Sequence, residues 1–235
     1  VKAGARGQAA LESALTLPLV TFLFLGLLQM LHAMQGRAMA EYAASRAVRV
    51  GSTNHASCRR MMDATVLALL PSFSSFARAG SDPAENLAAA FLKHGVQNKW
   101  RYDDEYSKGG GKLRFVGDIV WLRRDFSKST AYADELNFDQ PGPPQTMRVQ
   151  MIYWFPMKIP FANWVISKMV LGYVGVNPLL SGRKATWAGA PLNGLAGAVA
   201  ARAAAGETVL PIVTEASMRM MSPVREPGEW CGGGP

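Results

Sequence analysis

Cysteine and histidine are scarce in this chain: two cysteines, Cys58 and Cys231, and three histidines, His32, His55 and His94, among 235 residues. Ligands this few and this widely spaced give no paired-cysteine zinc pattern and leave each histidine without an evident metal-binding neighbour. A phosphate-binding loop is missing, as are an RNP-like aromatic motif and a G-x-S-x-G nucleophile turn. The sequence grounds for an enzyme are therefore lacking, and the expectation is a protein without catalytic residues, metal or cofactor. The acidic run Asp103-Asp104-Glu105 reads as a solvated loop rather than a cation site. Charge is also missing from one long stretch. From Ser13 to Gly36 there is no Asp, Glu, Lys or Arg.

As a helix, that stretch is about 36 Å long, sufficient to cross a hydrocarbon core of about 30 Å with some tilt. Glu12 stands at its lip, preceded by the short basic segment 1–7. A carboxylate there is costly to desolvate, so it stays at the interface or takes a cationic partner. The apolar run is too long for a secretory signal, and no small-x-small cleavage site follows it before Arg37, which favours a retained anchor. A second span at 155–176 is interrupted by Lys158, Pro160 and Lys168. Lys2 and Arg6 favour a cytoplasmic N-terminus, whereas Arg37, Arg46 and Arg49 pull the other way, so charge counting leaves the orientation open. The formal net charge of +8 is scattered along the chain. It implies a general affinity for anionic surfaces, membrane lipid included, and no specific nucleic-acid binding.

Helical periodicity continues past the span, predicting one helix from about Ala9 to Val50 with a kink or loosening at Pro18. Ala40, Ala43, Ala44 and Ala47 form a small-residue stripe on it. Two readings are open: the stripe admits helices of other subunits, or it packs on the chain's own domain. Arg37 and Glu41 are spaced to pair. Residues 58–70 read as a second helix ended by Pro71. A third carries Asp82 as N-cap, Pro83 at its first position, Glu85 completing a capping box and Gly95 after its last turn, with Leu87 and Phe91 on one face. Strand character follows at 112–116 and 119–122, broken near Gly117, then by alternation at 146–155 and 214–220. Three half-buried strands packed on helices give an antiparallel α+β domain. Gly109–Gly111 and 140–144 read as turns, and the Ala/Gly-rich segment 177–206 fits neither helix nor loop rules clearly. The tail 229–235 is flexible unless its cysteine is tied down. A Cys58–Cys231 bridge would do that and add about 2–4 kcal/mol; two free thiols are the alternative.

The segment Arg6-Gly7-Gln8-Ala9-Ala10-Leu11-Glu12-Ser13-Ala14-Leu15, then Leu17-Pro18-Leu19 and the Ala/Arg-rich run 38–49, resembles TadE-like minor pilins of the tight-adherence (Tad/Flp) pilus, relatives of type IV pilins. The resemblance is specific over 6–50 and weaker at 148–156 and 213–220; Ser13 departs from the aromatic or similar residue that commonly follows the glutamate. It implies a pilin-like α+β fold, with a basic leader (1–7), a transmembrane and extended helix (8–50), an exported domain (51–228) and a tail (229–235). It implies cleavage by a prepilin peptidase between Gly7 and Gln8, with Glu12 neutralising the new α-amino group of a neighbouring subunit and setting axial register. The alternative is that Glu12 caps the helix start and complements its dipole. The implied partners are other minor or major pilins, the inner-membrane assembly platform and the prepilin peptidase. The implied location is the bacterial inner membrane, single pass, with the N-terminus cytoplasmic, the domain periplasmic and incorporation into a pilus left open. Two other readings compete: an unprocessed single-pass scaffold of a secretion system, and a membrane-anchored surface-binding protein. The last is favoured if Trp154, Trp164 and Trp187 converge on an exposed patch.

Overall fold

The computed structural model describes residues 4–73, 82–95, 98–99, 117–126, 145–170, 186–187, 190–191, 195–225 and 228–231. Helix α1 (Gly4–Thr53) is followed by α2 (Cys58–Phe73), α3 (Pro83–His94), β1 (Val120–Phe126) and β2 (Thr146–Pro156). After β2 come a helix α4 over 162–170, the short β3 (Thr186–Trp187) and β4 (Ala190–Pro191), α5 (Leu195–Ala204), β5 (Val209–Arg219) and β6 (Trp230–Cys231). The main sheet is antiparallel in the order β5-β2-β1-β6. It is an α+β fold: a long apolar helix leading into a small helical layer packed on one four-stranded sheet.

The C-terminal half of α1 and the whole of α2 form that helical layer. Met147, Val149, Met151, Tyr153 and Phe155 of β2 are all buried. This face meets the helices, as the Tyr153 hydroxyl 2.7 Å from Ser72 Oγ of α2 records. Of the two readings of the alanine stripe, the second holds. Ala40, Ala43, Ala44 and Ala47 have no exposed surface and lie in the domain's own core. Thr214 Oγ1 of β5 donates to the Ala40 carbonyl at 3.4 Å, so strand and helix backbone approach closely there. Gly36 and Gly51 continue the stripe: a Cβ on Gly36 would lie 2.6 Å from the Phe155 ring, and one on Gly51 2.5 Å from the Met147 methyl. Ala44→Leu is accordingly expected to cost about 1–3 kcal/mol through overpacking. The exposed Ala38→Leu should stay within about 0.5 kcal/mol, the two being compared by urea unfolding of the full chain in detergent.

Several boundaries differ from expectation. Helix α1 runs from Gly4 to Thr53 instead of from about Ala9 to Val50, with Pro18 inside it as expected. Helix α2 runs through Pro71 to Phe73 instead of stopping before it. A proline near a helix end removes only its own N–H, here the donor to Leu67, and two anchors hold the last turn. Phe73 is in the core, and Ser72 Oγ donates to the Leu69 carbonyl at 2.6 Å. Helix α3 starts as expected, with Asp82 accepting from the Ala84 amide at 2.9 Å. On its expected Leu87–Phe91 face Leu87 is partly exposed and Phe91 packs against the core, and among its residues His94 is the buried one, edge-on to Phe73. Strand β1 starts at Val120 and extends to Phe126, and β5 starts at Val209 rather than Thr214. The expectation of half-buried strands fails for β2. Ile152 and Trp154, on its second face, are also buried because α5 places Arg202 over the Trp154 ring at 4.1 Å. Within 177–206 the described residues form β3, β4 and α5. The expected strand at 112–116, the acidic cluster 103–105 and the turns 109–111 and 140–144 lie outside the described residues.

The tail is tied. Cys58 and Cys231 are joined as a disulfide with their Cα atoms 5.1 Å apart, and Trp230 and Cys231 pair with Arg123 and Leu122 as β6. The buried Arg124 donates through Nη1 to the Ala56 carbonyl and through Nη2 to that of Gly228 at 2.7 Å. The α1–α2 turn that it grips holds His55 and Ala56 in left-handed backbone, φ 56° and 57°. His55 N donates to Ser222 Oγ at 2.8 Å, and its ring Nδ1 lies 2.9 Å from the Pro223 carbonyl. The bond closes a loop with a sequence separation of 173. Its removal by Cys231→Ser is expected to cost about 2–5 kcal/mol, read as a lowered urea midpoint that dithiothreitol reproduces in the unaltered protein.

Candidate functional site

The exposed surface of α1 is the feature that the domain does not explain. Among the described residues one helix is long and apolar enough to cross a membrane, and the rest of the chain buries almost none of its apolar stretch. Leu15, Leu17, Leu19, Val20, Phe22, Leu23 and Phe24 are exposed on every side of the helix. A monomer in water would not leave such a continuous apolar cylinder uncovered. Lipid or other apolar helices must cover it.

Contact with the domain begins where a polar residue enters the apolar run. Gln29 is buried, and its side-chain oxygen accepts from the Ile159 amide at 3.1 Å, in the turn between β2 and α4. That bond satisfies an amide at the rim of the domain and fixes where the free part of α1 starts. From Gln29 the next buried position is Gly36, two turns on, and burial then recurs through Ala40, Ala43, Ala47 and Gly51 at three- and four-residue steps, one seam of a helix. On the face away from the sheet, Met30, Leu31 and Met34 remain exposed. The first charged pair, Arg37 Nε to Glu41 Oε1 at 3.1 Å, comes just after.

Glu12 is an exposed residue at the far end of this cylinder, with Thr16 Oγ1 donating to its backbone carbonyl at 2.9 Å. Gly7 and Gln8 lie in the first turns of α1, which begins at Gly4, five residues before the expected start. The structure does not bring these residues together with Cys58 and Cys231. Those lie beyond the other end of α1, about 60 Å away at the helical rise. One end of the molecule is therefore apolar and carries a single carboxylate; the other is a covalently stapled knot.

Between them, α1 and α2 leave an open groove of 520 Å³ on their outer side, lined by Met39, Tyr42, Arg46, Leu67, Ala68 and Pro71 among others. Trp154 and Trp164, two of the three tryptophans considered as a binding patch, do not share an exposed surface. Trp154 is fully buried under Arg202, whereas Trp164 is 62% exposed on α4. Among the described residues no three His, Cys, Asp or Glu side chains gather in a metal-binding group. His55 and His94 serve in the turn and core contacts given above, and His32 is exposed on the apolar helix.

Sequence reasoning missed two groups of residues. Gln29 carried a signal, an amide in an otherwise apolar stretch, but its partner is 130 residues away. Arg202 and Glu207 form a buried ion pair at 3.2 Å, with Arg202 Nη2 donating to the Asp118 carbonyl at 2.8 Å. Burial lowers the Arg202 pKa from its ordinary value, and the charges of Glu207 and Asp118 oppose that shift. Five residues apart between a helix end and a strand start, this pair falls outside the helical spacing rules.

No curated protein and no solved structure matches the chain. A family model described as TadE-like protein matches residues 7–49. The match starts at Gly7, includes Glu12 and the whole exposed cylinder, and ends in the seam that docks on the sheet. Over that segment, about a fifth of its length, the chain is similar to TadE-like proteins.

Proposed function

We propose that the chain is a minor pilin, or pseudopilin, that takes part in assembling a Tad-type adhesive pilus. The observation that carries the reading is an all-round exposed apolar helix with a single carboxylate, Glu12, five residues after Gly7, inside a TadE-like segment. On this reading a prepilin peptidase cuts between Gly7 and Gln8. The helix starts in the inner membrane with its N-terminus cytoplasmic, and Glu12 pairs with the new α-amino group of the next subunit. The Cys58–Cys231 bond suits a domain placed in an oxidising periplasm. The α1–α2 groove offers a surface for another minor or major pilin or for the assembly platform. No reaction is assigned to the chain.

The alternative is a scaffold that keeps its N-terminus and never polymerises. Intact-mass and N-terminal peptide analysis of protein from native membranes separates the two. A mature chain starting at Gln8 is the expected result. Protein that retains Gly7 and the residues before it would remove the pilin reading and favour the scaffold.

A further inference from the structure

We propose that α4 and the turn leading into it form a second membrane contact, an interfacial foot at the lipid headgroup–acyl boundary beside α1. The proposal rests on the exposed stretch of α1 before Gln29 lying in a bilayer, and goes beyond it. Phe161 and Trp164 are 71% and 62% exposed, and Lys168 is exposed on the same side of α4, at steps of three and four residues. The helix cannot roll to hide them. Ala162 and Asn163 are buried, and Ile166 and Val170 pack against the domain core on the opposite side.

Phe161 also has φ 63°, a left-handed conformation that a bulky side chain rarely adopts. In water nothing repays a strained backbone that projects an aromatic ring into solvent. Its position supplies the reason. Ile159, two residues earlier, is hydrogen-bonded to Gln29, where the domain first touches the apolar helix. Phe161 and Trp164 thus sit at the level where α1 leaves its all-round exposed stretch, while Met30, Leu31 and Met34 keep the uncovered face of α1 apolar over residues 30–34. Tryptophan is enriched at that depth in membrane proteins, because its apolar body favours the acyl boundary and its indole N–H the headgroups, while the wholly apolar Phe161 ring favours the acyl side. Lys168 can extend its stem along the same surface and reach lipid phosphate with its ammonium. The occupant is a bilayer surface rather than a protein groove, since the patch is flanked by an exposed Lys158 and Lys168 and lies where the domain meets the apolar helix through Ile159 and Gln29.

The test places an environment-sensitive nitrobenzoxadiazole probe at Trp164→Cys in the full chain, the native cysteines being held in their disulfide. The protein is reconstituted in vesicles of phosphatidylcholine and phosphatidylglycerol, with and without lipids brominated on the upper acyl chain. Phe22→Cys in the span and the 68% exposed Leu92→Cys on α3 serve as membrane and water references. The expected result is blue-shifted emission at 164 that bromolipid quenches nearly as fully as at 22, with neither change at 92. Emission at 164 that matches 92 overturns the proposal, as does a blue shift without quenching, which would mean that protein covers the patch. An unquenched probe at 22 would instead show that the span itself fails, and the foot with it.

Discussion

Glu207→Ala is expected to destabilise the domain by about 3–5 kcal/mol, the cost of leaving one partner of a buried ion pair uncompensated. The side chains of Arg202 and Glu207 are only 10% and 5% exposed. Arg202 is wedged: its guanidinium lies over the Trp154 ring and bonds to the Asp118 carbonyl, and a Cβ on Gly117 would come within 2.5 Å of it. With the carboxylate gone, the guanidinium must either stay charged in a site that already lowers its pKa or swing out and uncover Trp154. Both routes are expensive. Glu207→Gln, which keeps the shape and one acceptor, should cost less. The double variant Arg202→Met with Glu207→Leu should recover most of the loss, because replacing both charges removes their desolvation penalty as well. Removing Glu215, whose bond to Arg148 is shorter at 2.6 Å but lies half in solvent, should cost no more than about 1 kcal/mol. Urea unfolding of the full chain in detergent, followed by tryptophan fluorescence, gives all four values. If Glu207→Ala cost as little as the Glu215 change, the pair would not hold α5 on the sheet.

The parts legible in the sequence are those set by near neighbours. The start of α3 rests on Asp82 and Pro83, and β2 and the later half of β5 on strict alternation, so their register with one another follows from which side chains must face the helices. The continuity of α1 follows from a run without glycine pairs and with Pro18 as its one proline. The parts that were not legible depend on distant partners. Nothing near Pro71 announces that Tyr153 and the core will hold the turn after it. Nothing near Trp230 shows that a two-residue strand will complete the sheet once Cys231 is bonded to Cys58. The alanine stripe shows the limit most clearly: small residues at helical spacing say that something approaches closely, and a neighbouring subunit and the chain's own β5 satisfy that pattern equally. At the candidate site the same division applies. Glu12 stands out from local charge and the Gly7–Gln8 pair is singled out only by the resemblance, whereas Gln29, which sets where the domain ends and the free helix begins, depends on the Ile159 amide.

Glu12→Ala is expected to lower surface piliation by about tenfold or more while leaving the domain's urea midpoint within about 0.5 kcal/mol of the unaltered protein. The separation of the two effects follows from distance. Glu12 lies about 25 Å along the helix from Gln29, the first residue buried in the domain, and Leu15 to Phe24 between them have no core to lose. The magnitude comes from the apolar surroundings. A carboxylate among packed apolar helices is costly alone and tolerable when paired with a cation, so it can act as a register pin. The proposed cation, the α-amino group of Gln8 on the next subunit, exists only after the bond after Gly7 has been cut. Blocking that cut by a Gly7 substitution should therefore abolish the same interaction. The double variant should be no worse than either single one, because both remove one pair. If Glu12 only complements the dipole of its own helix, its loss amounts to a few tenths of a kcal/mol, and Glu12→Ala strains would carry normal pili, counted by electron microscopy after shearing. Equal pili in the two strains would overturn the register role even if the mature protein began at Gln8. Cleavage shows only that the peptidase acts; the Glu12 phenotype shows whether the freed amine has a use.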